Sequence, residues 1–518
     1  MSNSARSGFC ALAIELMTLI LSELDLKLLL QMRTVCKSLK SLVDESIALQ
    51  YKVELAAAGM EDNHKSPLVM SERMSRLQQY TLAWQNLDFH TIELPPQPLS
   101  TWELVGGVLG SIAPKDSRMI FNRLPGHSRG IERKEWQFAC TPIFPVRDFT
   151  FDPAQDLLVA IESPDKDSSH PNARPFCRLH VKTLSTGNPH PLAVSPVIDL
   201  PAWQYYDSGL HVEDLKIHAE NFGLLLRYHF TDDGAETPFN DLVVVNWKTS
   251  DVILHLHRIY PLVTYTFLTE QYVALAISDG RARLEVHSLS KGYEASQTTW
   301  DRNSYLCAFD YPFPSPRPNY MFIQSDHASA HVSNNSPEVP FFAAESVKIL
   351  SVYFTYQYSR NRPVEDERHL SHLIPIECLL ALIPHSPDGV GTTWLWKYWA
   401  VQNSLTLNTC PDICWPSYVS GSKYADYIPK THFNDAHVEV FDLNPVLARR
   451  ESAKPSPGRS EKVQYGLRHL CYFADLPDPP GPEFKQSIMI SDDGLVLVDF
   501  TGDGSRDTDL MKITFLSL

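Results

Sequence analysis

Apolar side chains recur at every third or fourth position through the first part of the chain, which predicts amphipathic helices. A first helix is expected over residues 13–23. Asp25 is suited to cap a second helix, because its carboxylate can accept bonds from free N–H groups of the first turn. A third helix is expected around residues 35–42, and a fourth over 46–58, ending at Gly59.

Another helix is expected after the dipeptide Ser66-Pro67, which suits an N-cap followed by proline at the first helical position. This helix would continue to about Asn86. The first 90 residues or so therefore form an almost purely helical region.

Beyond about residue 98 the period changes, and short runs rich in Val, Leu, Phe and Tyr alternate with Asp, Pro, Gly and Ser clusters, which is typical of strands. Pairs of such runs lie at 147–160, 212–227, 265–277 and 487–500. Repeated four-strand units predict a β-propeller of about six to eight blades. An irregular β-sandwich or two β-domains is the alternative. Residues 101–110 are predicted to complete the last blade and close the ring.

Composition limits the possible partners and compartments. The 518 residues carry a net charge of −16, and residues 1–90 hold 9 basic and 10 acidic side chains, so the predicted β-region carries nearly all of it. Such a surface repels phosphate backbones, so no nucleic-acid partner is expected. Charged residues interrupt the N-terminal apolar run, so no membrane span or signal peptide is expected.

The nine cysteines are scattered, which fits reduced thiols in the cytoplasm or nucleus. Only Cys410 and Cys414 are close together, and no second pair lies at zinc spacing. We therefore expect no metal and no cofactor. We expect Cys36 to be a small buried apolar residue rather than a reactive thiol.

One enzyme motif occurs, G-H-S-R-G at 126–130, which matches the nucleophile elbow of hydrolases. Its flanks disagree with that site, because a proline adjoins the turn and the following I-E-R-K-E-W is too charged for a helix packed on a central sheet. A propeller-fold hydrolase with Ser128 as its nucleophile therefore remains only a secondary hypothesis.

The stretch 12–42 resembles an F-box, the helical motif by which substrate receptors bind the adaptor subunit of cullin-based SCF ubiquitin ligases. The Asp-Leu break followed ten residues later by Val-Cys-Lys is its most specific part. Matching positions are Leu12, Glu15, Leu16, Ile20, Leu24, Asp25, Leu26, Leu29, Val35, Cys36, Lys37 and Leu39. Ala13 stands where proline is usual, and Leu39 where Trp or Phe is commoner. A helical cap without a partner is the alternative.

The resemblance implies an α+β multidomain protein, similar to fungal F-box proteins that continue into a β-propeller-like region. It implies an F-box at 1–60 with its core at about 12–51, a helical linker at 61–97 and a β-propeller-like domain at 98–518. It also implies a non-catalytic substrate receptor that binds the adaptor, through it a cullin, and an unknown target protein. Except for Lys37, the matching positions are the expected adaptor-binding residues. A scaffold that uses its F-box outside a ligase is the rival function.

Overall fold

The computed structural model describes most of the chain. The described residues are 9, 12–94, 97–98, 101–113, 118–139, 144, 146–162, 177–200, 208–232, 235–259, 262–278, 281–290, 305–312, 318–328, 339–357, 367–384, 391–408, 419–430, 435–452, 460–464, 467–477, 484–501 and 510–518.

Five helices lead the chain, as the apolar periodicity predicts. They are α1 (Ile14–Ser22), α2 (Leu26–Val35), α3 (Lys37–Glu45), α4 (Ile47–Ala58) and α5 (Met70–Asn86). The Asp25 carboxylate caps α2 by accepting the Leu28 N–H at 2.7 Å. Gly59 ends α4 with φ +69°, a conformation that glycine adopts without a Cβ penalty. Both expected helix boundaries are confirmed.

The start of α5 differs from the expectation. The helix begins at Met70 rather than at Pro67, because Ser66 serves a preceding turn. Its N–H donates to the Asn63 carbonyl at 2.9 Å, and its hydroxyl accepts the Leu68 N–H at 3.4 Å. A serine hydroxyl that closes a local turn in this way competes with the capping role.

The rest of the chain forms seven antiparallel blades around a common axis, within the predicted range of six to eight. Three short strands precede them: β1 (Met60–Asp62), β2 (His90–Glu93) and β3 (Gln97–Pro98). Blade 1 contains β4 (Trp102–Val105), β5 (Val108–Ala113), β6 (Arg118–Arg123) and β7 (Lys134–Ala139). Blade 2 contains β8 (Val146–Asp152), β9 (Leu157–Glu162), β10 (Cys177–Thr183) and β11 (Val197–Leu200). Blade 3 contains β12 (Ser208–His218), β13 (Asn221–Asp232), β14 (Ala235–Asn246) and β15 (Val252–Ile259).

One strand from the span of blade 5 joins the sheet of blade 4. Blade 4 contains β16 (Leu262–Thr269), β17 (Tyr272–Ser278), β18 (Ala282–Ser288) and β19 (Cys307–Asp310). Within the span of blade 5 lie β20 (Pro318–Ser325), β21 (Phe341–Ala343), β22 (Ile349–Gln357), β23 (Glu367–Pro375), α6 (Ile376–Leu380), β24 (Thr392–Leu395), α7 (Trp396–Trp399) and β25 (Leu405–Asn408). Its sheet is β20-β22-β23-β25, whereas β24 pairs in parallel with β19 of blade 4 and β21 pairs with β1.

Blades 6 and 7 complete the ring. Blade 6 contains β26 (Val419–Ser420), β27 (Lys423–Ile428), β28 (His437–Asp442), β29 (Ser460–Gln464) and β30 (Leu467–Asp475), with α8 (Pro445–Ser452) after β28. Blade 7 contains β31 (Phe484–Ser491), β32 (Gly494–Thr501) and β33 (Leu510–Ser517). The four predicted strand pairs are confirmed as the hairpins β8-β9, β12-β13, β16-β17 and β31-β32.

An N-terminal strand closes the ring, but it is not the predicted one. β2 pairs antiparallel with β33 and forms the outer strand of blade 7. Residues 101–110 instead open blade 1, because Gly106 and Gly107 have φ of +54° and +73° and turn the chain into the β4-β5 hairpin. The β-domain therefore includes a strand from the segment expected to be a helical linker.

Apolar layers between neighbouring blades form the core. In β9 every residue of Leu157–Ile161 is at most 1% exposed, because blades pack against both faces of the sheet. Leu157, Val159 and Ile161 face blade 3, while Leu158 and Ala160 face blade 1. Layers of this kind around a ring overturn the sandwich alternative.

Candidate functional site

The four N-terminal helices pack around a small core of their own. Its buried members are Leu21, Leu29, Leu39, Leu42, Val43 and Leu49. An Arg33–Asp44 ion pair with an Nε–Oδ1 distance of 2.5 Å connects α2 to α3, and the Lys52 ammonium donates to the Ser22 carbonyl at 2.5 Å between α4 and α1. Six buried side chains are too few to cover the leucines of this segment.

Nine leucine, isoleucine and valine side chains of this segment are left exposed outside that core, and we call this set the apolar face. Exposed fractions of its side chains range from 40% at Leu12 to 66% at Val35. The members are Leu12, Ile14, Leu16, Leu19, Ile20, Leu28, Leu30, Val35 and Ile47. Exposed apolar residues concentrated in one short segment mark interaction surfaces, whereas single ones are ordinary.

The expected adaptor-binding residues fall into three groups. Seven are exposed: Leu12, Glu15, Leu16, Ile20, Asp25, Val35 and Cys36. Leu24 and Leu26 are half-buried. Leu29 and Leu39 are buried in the core at 0% and 3% exposure, so they position the helices and present nothing to a partner.

Cys36 corrects one expectation. It lies exposed between α2 and α3, with extended φ and ψ of −156° and 164°, rather than buried as a small apolar residue. The kink between the helices turns its side chain outward. Its neighbour Val35 is the most exposed member of the apolar face.

Sequence reasoning missed Ile14, Leu19, Leu28, Leu30 and Ile47, which are 40–61% exposed. The signal was present in α1, whose sequence I-E-L-M-T-L-I-L-S is apolar on nearly every side. A helix that is apolar all round requires cover on more than one face. Its own core covers only the side of Leu21, and Met17 and Leu24 pack partly against it.

Residues 9–49 match the sequence model of the F-box domain. The chain carries an F-box domain. This match spans α1 to α3 and the beginning of α4, and it includes all nine residues of the apolar face. A comparison with curated protein sequences found no match.

Solved structures, two of them WD40 domains, resemble the chain at low identity. The WD40 domain of SCAP from fission yeast covers 83% of this chain and 95% of its own, with 10% identity and a TM-score of 0.32. The WD40 propeller domain of Doa1 covers 82% of this chain and 95% of its own, with 10% identity and a TM-score of 0.32. BamB from Moraxella catarrhalis covers 82% of this chain and 97% of its own, with 7% identity and a TM-score of 0.29. The propeller itself is established by the strand pairing described above.

Helix α4 fixes the F-box domain to the propeller. The side-chain amide of Asn444, which lies between β28 of blade 6 and α8, donates to the carbonyls of Ala56 and Ala57 at 3.2 and 2.9 Å. Arg450 of α8 pairs with Glu54 at 2.5 Å. Because these bonds hold the last turn of a helix that also packs in the F-box core, the F-box domain has a fixed orientation on the ring.

The G-H-S-R-G loop belongs to a structural clamp between blade 1, blade 7 and helix α5. Arg129 is 4% exposed, and its Nε and Nη2 bind the two carboxylate oxygens of Asp493 at 2.6 and 2.5 Å. Its Nη1 donates to the Phe341 carbonyl at 2.9 Å. Its own carbonyl accepts from Arg76 of α5 at 2.6 Å, and its guanidinium lies over the Tyr80 ring at 5.9 Å. We call this group the Arg129 clamp.

The two glycines of the motif are explained by the clamp rather than by catalysis. A Cβ at Gly126 would lie 2.3 Å from an Asp493 carboxylate oxygen, and one at Gly130, where φ is +71°, would lie 1.8 Å from Arg76 Nη1. Ser128 is 8% exposed, and its hydroxyl has no hydrogen-bond partner among the described residues. The adjacent His127 binds the Ser517 hydroxyl at 2.8 Å. A serine nucleophile needs a base within hydrogen-bond reach, and the described residues place none beside Ser128.

Replacing Ser128 with alanine is therefore expected to change the free energy of unfolding by less than about 1 kcal/mol, because it removes an unpaired buried hydroxyl. Denaturant unfolding measures this. Ser422→Ala is the matched control: that buried hydroxyl donates to Asp442 at 2.7 Å, and its loss should cost about 1.5–3 kcal/mol. Hydrolysis of p-nitrophenyl acetate that is lost in the Ser128→Ala protein would contradict the structural role.

No group of three potential metal-ligating side chains occurs in the part of the chain that the structure describes. The same residues contain no helix long and apolar enough to cross a membrane. Cys410 and Cys414 lie outside the described residues.

Proposed function

We propose that this protein is the substrate-recruiting subunit of an SCF-type E3 ubiquitin ligase. Its F-box domain would bind the adaptor subunit and, through it, the cullin, while the propeller binds a target protein. The protein would supply positioning rather than catalysis, since the conjugating enzyme carried by the complex transfers ubiquitin.

The apolar face is the observation that carries this proposal. Burying a leucine, isoleucine or valine side chain contributes roughly 1.5–3 kcal/mol when it is fully removed from water. Nine such side chains in the apolar face are 40–66% exposed, so a matching groove on a partner would remove a large part of that surface from water. Helical apolar ridges of this kind suit a helix-in-groove interface.

The rigid attachment of α4 supports the ligase role. Ubiquitin transfer requires a bound target to be held at a fixed place relative to the rest of the complex, as catalysis by proximity demands. The Asn444 bonds to α4 and the Arg450–Glu54 pair hold the F-box domain and the propeller in one arrangement. A mobile tether between them would not fix that geometry.

A double variant tests the proposal. Leu16→Asp with Val35→Asp places two carboxylates in the apolar face, at positions 51% and 66% exposed. Because both side chains face solvent, folding should be retained, whereas adaptor binding should weaken by at least about 30-fold, or roughly 2 kcal/mol. Co-purification and calorimetric titration with the purified adaptor subunit measure this.

Val69→Asp with Leu82→Asp is the matched control, since these side chains are 65% and 55% exposed but lie outside the F-box domain. Adaptor binding should be unchanged in it. The proposal is wrong if the parent protein does not bind the adaptor, or if the two double variants bind it equally. Adaptor binding without cullin recruitment or target ubiquitination would favour the non-ligase scaffold.

A further inference from the structure

A cavity of about 90 Å³ lies on the propeller axis, where the inner strands of several blades end. Four carboxylates line it: Glu103 of β4, Asp214 of β12, Asp326 after β20, and Asp492 after β31. The helix α5 lies beside the same end of the ring, since Tyr80 and Trp84 donate to the Asp492 carbonyl at 2.9 and 3.3 Å. A single water needs only roughly 10–15 Å³ of such volume, so this cavity can hold a larger guest.

The cations near these carboxylates already have partners, which include two of the four carboxylates: Lys216 pairs with Asp214, and Arg129 Nη2 lies 3.6 Å from an Asp492 oxygen. Lys216 lines the cavity, and its ammonium also donates to the Tyr265 carbonyl at 2.7 Å. Lys348 binds Glu345 at 2.8 Å and the Ala328 carbonyl at 2.7 Å. Among the lining residues described, carboxylates outnumber lysines and arginines four to one.

Two lining side chains have buried polar atoms without partners in the described structure. Glu103 accepts the Thr150 hydroxyl at 3.0 Å through Oε1, whereas its Oε2 is buried and makes no hydrogen bond. Both ring nitrogens of His327 are likewise buried and unbonded. Because an unmade buried hydrogen bond costs about 1–3 kcal/mol, these atoms indicate a site prepared for a hydrogen-bonding guest, to which a neutral imidazole offers one acceptor nitrogen and one N–H donor.

The electrostatics of the cavity agree. Burial raises the pKa of Glu103 well above its usual range, and burial also raises the pKa of Asp214 and Asp326. Burial, helped by Lys216, His218 and Lys348, holds the pKa of His327 well below its usual range, so the imidazole is neutral and can accept a bond. A positive guest would restore the interactions that burial removed from these groups.

The shape and lining favour a long basic side chain over a metal ion. The carboxylates come from different blades around the cavity, and none of the described residues form a cluster that could hold a metal ion. Apolar residues, among them Leu104, Phe322, Val419 and Ile490, line the cavity together with the carboxylates. Methylene groups of lysine or arginine can pack on such a wall while the charged end reaches the acids.

We propose that this axial cavity binds the lysine or arginine side chain of a peptide segment in the target protein. Glu103 would accept from the ammonium or guanidinium group, and the apolar wall would contact the methylene chain. The proposal rests on the proposed function only in naming the peptide a target, since the binding itself needs no adaptor.

Fluorescence polarisation with the full-length protein tests the proposal. The probes are labelled degenerate peptide pools with one fixed central residue: lysine, arginine or norleucine. At least one basic pool should bind about tenfold more tightly than the norleucine pool, a difference of about 1.4 kcal/mol. Glu103→Gln keeps the side-chain size and the Thr150 contact, and should remove most of that preference. The adaptor affinity of this variant should stay at the parent value.

Asp426→Asn is the matched control. Asp426 is also a buried carboxylate with one unbonded oxygen, but it does not line the cavity. Its preference for the basic pool should equal that of the parent. Equal binding of all pools, or an unchanged preference in Glu103→Gln, overturns the proposal. If an equal concentration of butylammonium displaces the basic pool, the claim that the guest belongs to a peptide is overturned. The double variant Leu16→Asp with Val35→Asp should still bind the basic pool. Its peptide binding therefore tests the cavity independently of adaptor binding.

Discussion

Arg129→Ala is expected to lower the free energy of unfolding by about 3–5 kcal/mol, because it leaves the Asp493 carboxylate buried without its partner. Asp493 is 2% exposed, and both of its side-chain oxygens are bound by the Arg129 guanidinium. The variant also loses the bond to Phe341 and the packing on Tyr80. Denaturant unfolding followed by tryptophan fluorescence measures the change.

Arg178→Ala is its control. Arg178 pairs with Asp199 of blade 2 at 2.8 Å, but the two side chains are 43% and 54% exposed, so the loss should be within about 1 kcal/mol. The double variant Arg129→Ala with Asp493→Ala should be more stable than Arg129→Ala alone, because it removes the unpaired charge. A loss at Arg129 no larger than that at Arg178 would contradict the clamp.

Asp426→Asn is expected to stabilise the protein, and increasingly so as the pH rises. Asp426 is 3% exposed, and one carboxylate oxygen lacks a hydrogen bond. Burial and, after it, the neighbouring charge of Glu439 raise the pKa of Asp426 to about 8. The folded state therefore holds a proton that the unfolded chain releases near pH 4, so this residue makes stability fall between about pH 4 and pH 8.

The slope of that fall is at most about 1.4 kcal/mol per pH unit, so the gain from Asp426→Asn should grow by up to about 3 kcal/mol between pH 5 and pH 7. Unfolding midpoints of parent and variant at the two values measure it. Asp435→Asn, at a side chain that is 77% exposed, should show no such growth. If Asp426→Asn raises the free energy of unfolding equally at both pH values, the pKa of the Asp426 carboxyl is not raised by the fold.

Local patterns predicted the helical part of the chain closely. The Asp25 cap and the Gly59 end of α4 depend on groups within a few residues, which a single sequence displays. The predicted start of α5 at Pro67 was wrong because the Ser66 hydroxyl and N–H bond to Leu68 and Asn63 in a turn. A capping serine and a turn serine look alike in sequence. The apolar face was found only in part, since a motif pattern does not separate core from surface positions.

The blade count fell within the predicted range because each blade repeats the same alternation of strands and turns. The closing strand was wrong, since β2 is a short run beside a helix, and its partner β33 is about 420 residues away. Arg129 and Asp493 are also far apart, at 364 residues, so the G-H-S-R-G motif suggested an enzyme although the loop forms a clamp. Residues of five blades (1, 3, 5, 6 and 7) line the cavity, and no local pattern in the sequence encodes that meeting.

The pairing of β2 with β33 also sets an order of events during synthesis. At about 5–20 residues per second, the ribosome needs roughly 20–80 seconds to make the chain between these two strands. Helices α1 to α4 are complete throughout that interval, while β2 waits without its neighbour and blade 7 has no outer strand. The F-box domain therefore displays its apolar face on the nascent chain before a closed ring exists to receive a target.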